Sequence, residues 1–346
     1  MKADRRHLLT RAGRWAVAGG WALTGLRVGR AATPGRVAIA VPGPGNLLFL
    51  PVTLASRISA DHVEGLELDL QYVGGGPQAF RAMLDGSCDF SAGGFSALAL
   101  QKINGQPVKC IAPLTRVPAY TLLVRSAFRG KVRKIGDLRG LVIGVKGHVP
   151  GGRSTTQLFT EHLLDQAGIS PTEVNYVPAG QSFESQYAAL ASGSVDALMG
   201  DEPFATRMVR QKVAYVLADF HDLQTTRKEM GGLFLNGMIA TRDDVIVRQP
   251  ELVEKMVKTV QRTLDWIARH SARQMVDALG PAGGEEAESL WAVLRRRKNI
   301  YNSDARFSQE QLGAAERFLH ASEKTTQARA FRVAGLVDDR WAGSAP

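Results

Sequence analysis

The densest chemistry in the sequence lies in one short run, Gly151-Gly152-Arg153-Ser154-Thr155-Thr156, where helical periodicity begins. Glycines let a ligand approach the backbone, and Ser and Thr hydroxyls beside the free N–H groups of a first helical turn present donors. The helix dipole adds a preference for negative charge of about 0.3–1 kcal/mol. Gly152, Arg153, Ser154 and Thr155 are therefore candidate ligands for a sulfonate, carboxylate, nitrate or phosphate group. The same residues also fit a plain N-cap, in which Ser154 or Thr155 only satisfies its own helix. The segment from Gly147 to Ser154 comes close to the nucleotide-binding pattern G-x-x-x-x-G-K-[ST]. Arg153 stands where that pattern needs lysine, and the two groups are not interchangeable, which argues against a nucleotide hydrolase.

Other candidates fall in loops of similar type: Asn46 within Pro42–Leu47, Gly75 and Gly76 within Gly74–Gln78, and Ser96 within Gly94–Ala97. Arg116 and Tyr120 stand where they can reach an anion, although a surface arginine is the commoner case. Asp201 and Glu202, ahead of Pro203 at the end of a strand facing the cleft, suit either acceptance of a hydrogen bond from a ligand amine or capping of the helix that follows. Catalytic signals are weak. The seven histidines are scattered without an H-E-x-x-H pair, and no G-x-S-x-G elbow is present. Cys88 and Cys110 are too few for a thiolate zinc site, and read either as buried thiols or as a single disulfide. No metal or cofactor is expected.

Two segments of one plan must position these loops. The first runs from a β-prone stretch at Arg36–Val41 through a helix near Leu48–Ile58 to an alternating strand, Leu66–Val73. Gly74 to Pro77 breaks that strand, Pro77 suits the first turn of a helix reaching Leu84, and a third strand follows Asp89. The second opens with Leu141–Val145, continues as a helix from Ser154 to Ala167 and a strand at Glu173–Val177, and ends with a helix at Phe183–Ala191 and a strand to Gly200. Gly86-Ser87-Cys88-Asp89 and Gly193-Ser194-Val195-Asp196 mark the same turn in both. Two βαβαβ units predict two α/β lobes, each with a mostly parallel sheet. Thr121–Val124 and Gly232–Thr241 read as extended crossovers forming a hinge, with the ligand loops facing the cleft below it. From Gln249 the pattern is helical: Leu252, Met256, Val260, Leu264 and Ile267 form one apolar stripe. Helices near Glu285–Arg297 and Ser308–Ala321 are expected to pack on the first lobe.

Composition agrees with a folded soluble chain, at 45% hydrophobic and 22% charged residues over 346 positions. The net charge of +10 is concentrated at the start, where residues 1–31 hold seven basic side chains against Asp4 alone. The remaining +4 is no nucleic-acid footprint. Arg5-Arg6, the apolar run from Trp15 to Leu26, and Gly29 and Ala31 before a cut after Ala31 compose an export signal of twin-arginine type. The alternatives are an amphipathic N-terminal helix, an uncleaved anchor or the general export route.

Residues 36–280 resemble the periplasmic substrate-binding proteins of nitrate, sulfonate and taurine ABC transporters. The likeness is carried by Gly136–Val145, by Ser154-Thr155 opening a helix, by Gly193–Ala197, by Glu202-Pro203 and by Gln249–Val253. It implies the two-lobe periplasmic-binding-protein fold of type II kind, with residues 32–122 and 238–346 in the first lobe and 123–237 in the second. It also implies a monomeric, non-catalytic receptor in the periplasm that hands a small anion to a permease and its cytoplasmic ATPase. Asp201 before Glu202-Pro203, where many relatives carry an aromatic, leaves the solute open. The same superfamily includes a thiamine-pyrimidine synthase, whose cysteine-rich run is absent here; an enzyme of that kind and a sensory receptor are the alternative functions.

Overall fold

A computed structural model describes residues 35–146, 153–280 and 284–342. The export signal with its cut after Ala31, and the loop Gly147–Gly152, lie outside the described residues. The first half of the chain forms β1 (Gly35–Val41), α1 (Leu50–Arg57), α2 (Ala60–Val63), β2 (Leu66–Tyr72), α3 (Gly76–Leu84), β3 (Phe90–Gly94), α4 (Phe95–Ile103), β4 (Val108–Pro113) and β5 (Thr121–Arg125). Then come β6 (Val142–Val145), α5 (Thr155–Gln166), β7 (Asn175–Pro178), α6 (Phe183–Ser192), β8 (Ala197–Gly200), α7 (Phe204–Arg210), β9 (Ala214–Asp219), α8 (Leu223–Met230) and β10 (Gly237–Arg242). Helices complete the chain: α9 (Asp243–Arg248), α10 (Pro250–Arg269), α11 (Ala272–Leu279), α12 (Gly284–Arg297), α13 (Gln309–Ser322) and α14 (Thr326–Ala330). Among the described residues, no helix is long and apolar enough to cross a membrane.

The strands make two sheets, ordered β2-β1-β3-β10-β4 and β7-β6-β8-β5-β9. Position for position the orders correspond, as the repeated sequence plan requires. The shared Asp has the same task in each copy. Asp89 Oδ2 accepts the N–H of Ala38 on β1 at 3.2 Å, and Asp196 Oδ2 accepts the N–H of Val142 on β6 at 3.0 Å. Each carboxylate thus pins the entrance of the third strand to its neighbour.

The expectation of mostly parallel sheets holds, since four of the five strands in each sheet share one direction, but one strand in each runs against the rest. β10 is antiparallel to β3 and β4, and β5 is antiparallel to β8 and β9, so both sheets are mixed. The cause is the path of the chain: each crossover becomes the fourth strand of the sheet it enters. The two crossings between the sheets, residues 114–120 leading into β5 and 220–236 leading into β10, are also bonded to each other, with Phe220 N–H on Tyr120 C=O at 2.9 Å and Ala119 N–H on Phe220 C=O at 3.2 Å. Phe159, fully buried on α5, sits among aromatic rings from both crossings (Tyr120, Phe220 and Phe234) and from α13 (Phe318), at centroid distances of 4.9 to 6.2 Å. Edge and offset arrangements of this kind favour ring pairs beyond their burial. The C-terminal helices do not rest on the first lobe alone, as expected, because α12 touches α7 and α13 touches both α4 and α5.

Candidate functional site

The parallel strands of both sheets end at one cavity of about 40 Å³. Pro42 and Asn46 follow β1, Gly94 ends β3, Lys146 follows β6, Gln181 follows β7 and Asp201 follows β8. Three helices begin there: α3 at Gly76, α4 beside Ala97 and α5 at Ser154–Thr156. Open α/β sheets place ligands at this end because helix N-termini leave N–H groups unpaired. Ser154 caps α5, its Oγ accepting the Gln157 N–H at 3.2 Å while also lying 2.9 Å from Thr156 Oγ1. The plain-cap reading therefore holds for Ser154, which nevertheless lines the cavity. Thr155 reaches across to the other sheet, its Oγ1 accepting the Ala97 N–H at 3.3 Å. Leu47 N–H donates to Glu202 C=O at 2.9 Å, so the two halves meet by backbone as well.

The charge in this cavity is a pair. Lys146 Nζ and Asp201 Oδ2 are ion-paired with both residues buried, and Lys146 Nζ stands 5.3 Å from the centroid of the Tyr120 ring. Burial lowers the Lys146 pKa, and Asp201 opposes that shift. Asp201 Oδ1 is buried without a hydrogen-bond partner among the described residues, and so are the Ser96 Oγ and Asn236 Oδ1 atoms. A lone buried acceptor beside an ammonium suits a ligand that offers both an acceptor and a donor.

The structure gathers part of the expected site. Asn46, Gly76, Ser154 and Thr155 line the cavity; Asn46 spends its side-chain oxygen on the Leu48 N–H at 2.8 Å, leaving its NH2 as donor. Gly75 and Ser96 stand next to lining residues rather than among them, and Gly152 lies outside the described residues. Three candidates need correction. Arg116 donates through Nε to Asn299 C=O at 2.9 Å, away from the cavity. The Arg153 guanidinium is taken up by the carboxylates of Glu161 and Glu323, so it is not a free anion donor, nor a stand-in for a phosphate-reaching lysine. Glu202 takes the capping alternative, its carboxylate accepting the N–H and the hydroxyl of Thr206, each at 3.0 Å. Cys88 and Cys110 are buried free thiols. Sequence reasoning missed Lys146. Its signal was its place one residue beyond a predicted strand, ahead of a glycine-rich run.

Solved structures share this architecture. A protein of Bordetella bronchiseptica RB50 superposes with a TM-score of 0.80 at 22% identity, covering 90% of this chain and 96% of its own. The alkanesulfonate-binding protein SsuA of Xanthomonas axonopodis pv. citri, bound to MOPS, gives 0.68 at 18% identity, covering 89% and 99%. The periplasmic nitrate-binding protein NrtA of Synechocystis PCC 6803 gives 0.68 at 13%, covering 88% and 86%. Two mixed sheets flanked by helices, with a cavity between them, are the periplasmic-binding-protein fold. The chain belongs to the NMT1/THI5-like family, whose model matches residues 62–273.

Proposed function

We propose that the chain is an exported, monomeric solute receptor that binds a small anion (a sulfonate, taurine-like acid, nitrate or carboxylate) and delivers it to an ABC permease without catalysis. The observation that carries this reading is the convergence of three helix N-termini and Lys146 on one cavity between the sheets. An acidic head group would lie against the first turns of α4 and α5, within reach of Thr155, Thr156 and Lys146. The free oxygen of Asp201 would accept a donor elsewhere on the solute, which favours acids that also carry an amine or hydroxyl. A volume of about 40 Å³ suits a head group and little more. Charge-assisted hydrogen bonds of about 1.5–3 kcal/mol each, after ordering costs, support roughly micromolar affinity. The lobes would close on the solute about the two crossings and present a combined surface to the permease. The names of the neighbouring sulfonate- and nitrate-binding proteins support this class of ligand, and the basic leader supports export to the periplasm with a cut near Ala31.

Thermal unfolding against alkanesulfonates, taurine, nitrate, bicarbonate, carboxylates and ATP tests the proposal. A true ligand at a hundred times its dissociation constant stabilises by about 2.7 kcal/mol, and turnover of any solute would overturn the non-catalytic reading. Ser154→Ala with Thr155→Ala should weaken that ligand by about tenfold or more, read by calorimetric titration.

A further inference from the structure

A second cavity, of about 380 Å³, shares no lining residue with the first. It lies among β5, α7, β9 and the end of α12, and Thr121, Glu202, Asp219, Arg210, Arg296 and Arg297 are among its polar lining residues. Thr121 is 2% exposed, and its hydroxyl has no hydrogen-bond partner among the described residues. Buried hydroxyls are ordinarily satisfied, so this one is owed a partner from inside the cavity.

The charges at the cavity are unevenly spent. Asp219 is fully engaged, Oδ1 with His221 Nδ1 at 2.8 Å and Oδ2 with Arg297 at 2.5 Å. Glu202 is occupied by Thr206. Arg210 and Arg296, in contrast, each have a single hydrogen bond among the described residues. Arg210 donates to Ser289 Oγ at 3.4 Å, and Arg296 donates through Nε to Ala292 C=O at 3.2 Å. Neither has a carboxylate partner among the described residues. A guanidinium carries five N–H donors in a planar fork suited to carboxylate and phosphate oxygens. Two such forks with most donors unused, lining the same cavity as Thr121, suit an oxyanion.

We propose that this cavity is a second ligand site, taking a small organic acid or phosphate ester whose oxyanion is held by Arg210 and Arg296 and whose next polar atom meets Thr121. Its volume is well above that of the first cavity, so its ligand is larger than a bare head group.

Calorimetric titration of the whole chain with inorganic phosphate, and separately with succinate, up to about 10 mM tests this. Saturable binding of at least one probe is expected, and which one responds distinguishes a phosphate from a carboxylate. The double variant Arg210→Gln, Arg296→Gln should lose about tenfold or more in affinity, and Thr121→Val, which keeps the shape, severalfold. Arg210 and Arg296 are exposed, so the double variant should fold as the parent does. Arg295→Gln removes a neighbouring exposed charge that stacks on Trp291 outside the cavity and should leave affinity unchanged. Absence of binding by both probes overturns the proposal. So does undiminished binding in the double variant, which would place the probe elsewhere, or an equal loss in Arg295→Gln, which would reduce the effect to general charge.

Discussion

At the scale of single residues, the Lys146–Asp201 pair dominates the first cavity. Two buried ions compensate each other only while both are present, and removal of one strands the other at a cost of about 3–5 kcal/mol. Lys146→Met should therefore destabilise the chain by that amount in urea unfolding, whereas Lys146→Met with Asp201→Leu should recover most of it. Equal losses in both variants would show that the pair is solvated. The place of Asp201 at the cleft was legible in the sequence but its pairing was not, because a lysine beside a glycine run gives no sign of a partner more than fifty residues away. Arg153 shows the same limit from the other side. Its place at a helix start was read correctly, but Glu323, which occupies its guanidinium, lies at the far end of α13. Residue type and local position are sequence properties; pairing is a property of the fold.

At the scale of elements, much more was readable. Glycine and proline punctuation, the alternation of β2 and the helical spacing of α5 put their borders, and the start of α10, within a residue or two of those observed. The strands β5 and β10 read as connectors because nearly every position in them is buried, so no alternation marks a face. Their antiparallel sense follows from the return of the chain, which local sequence does not encode. The start of α5 meets the end of β3 so closely that a Cβ on Gly94 would lie 2.6 Å from Thr155 Cβ. Gly94 has an ordinary backbone conformation, φ −89° and ψ 131°, so alanine there strains nothing locally. Gly94→Ala should consequently leave the circular dichroism unchanged while opposing approach of the two sheets. An affinity lower by about tenfold or more is expected for the first-cavity ligand. Unaltered affinity would mean that Thr155 moves aside at little cost.

At the scale of the molecule, segments 114–120 and 220–236 join two sheets of equivalent order, and the aromatic cluster around Phe159 gathers both with α5 and α13. The C-terminal helices touch elements that flank both sheets. Leu47 lies where these parts meet. Its N–H is held by Glu202 C=O across the cleft, while its C=O accepts the Tyr301 hydroxyl at 2.8 Å. If the lobes close on a solute as proposed, that single amide is a clock for the opening of the cleft. Whenever the lobes part, its proton is exposed to deuterium, whereas the Phe49 N–H, bonded within its own turn to Asn46 C=O at 3.1 Å, stays protected and serves as the internal standard. A ligand at a hundred times its dissociation constant that binds only the closed form should slow the Leu47 clock about a hundredfold and leave Phe49 running as before.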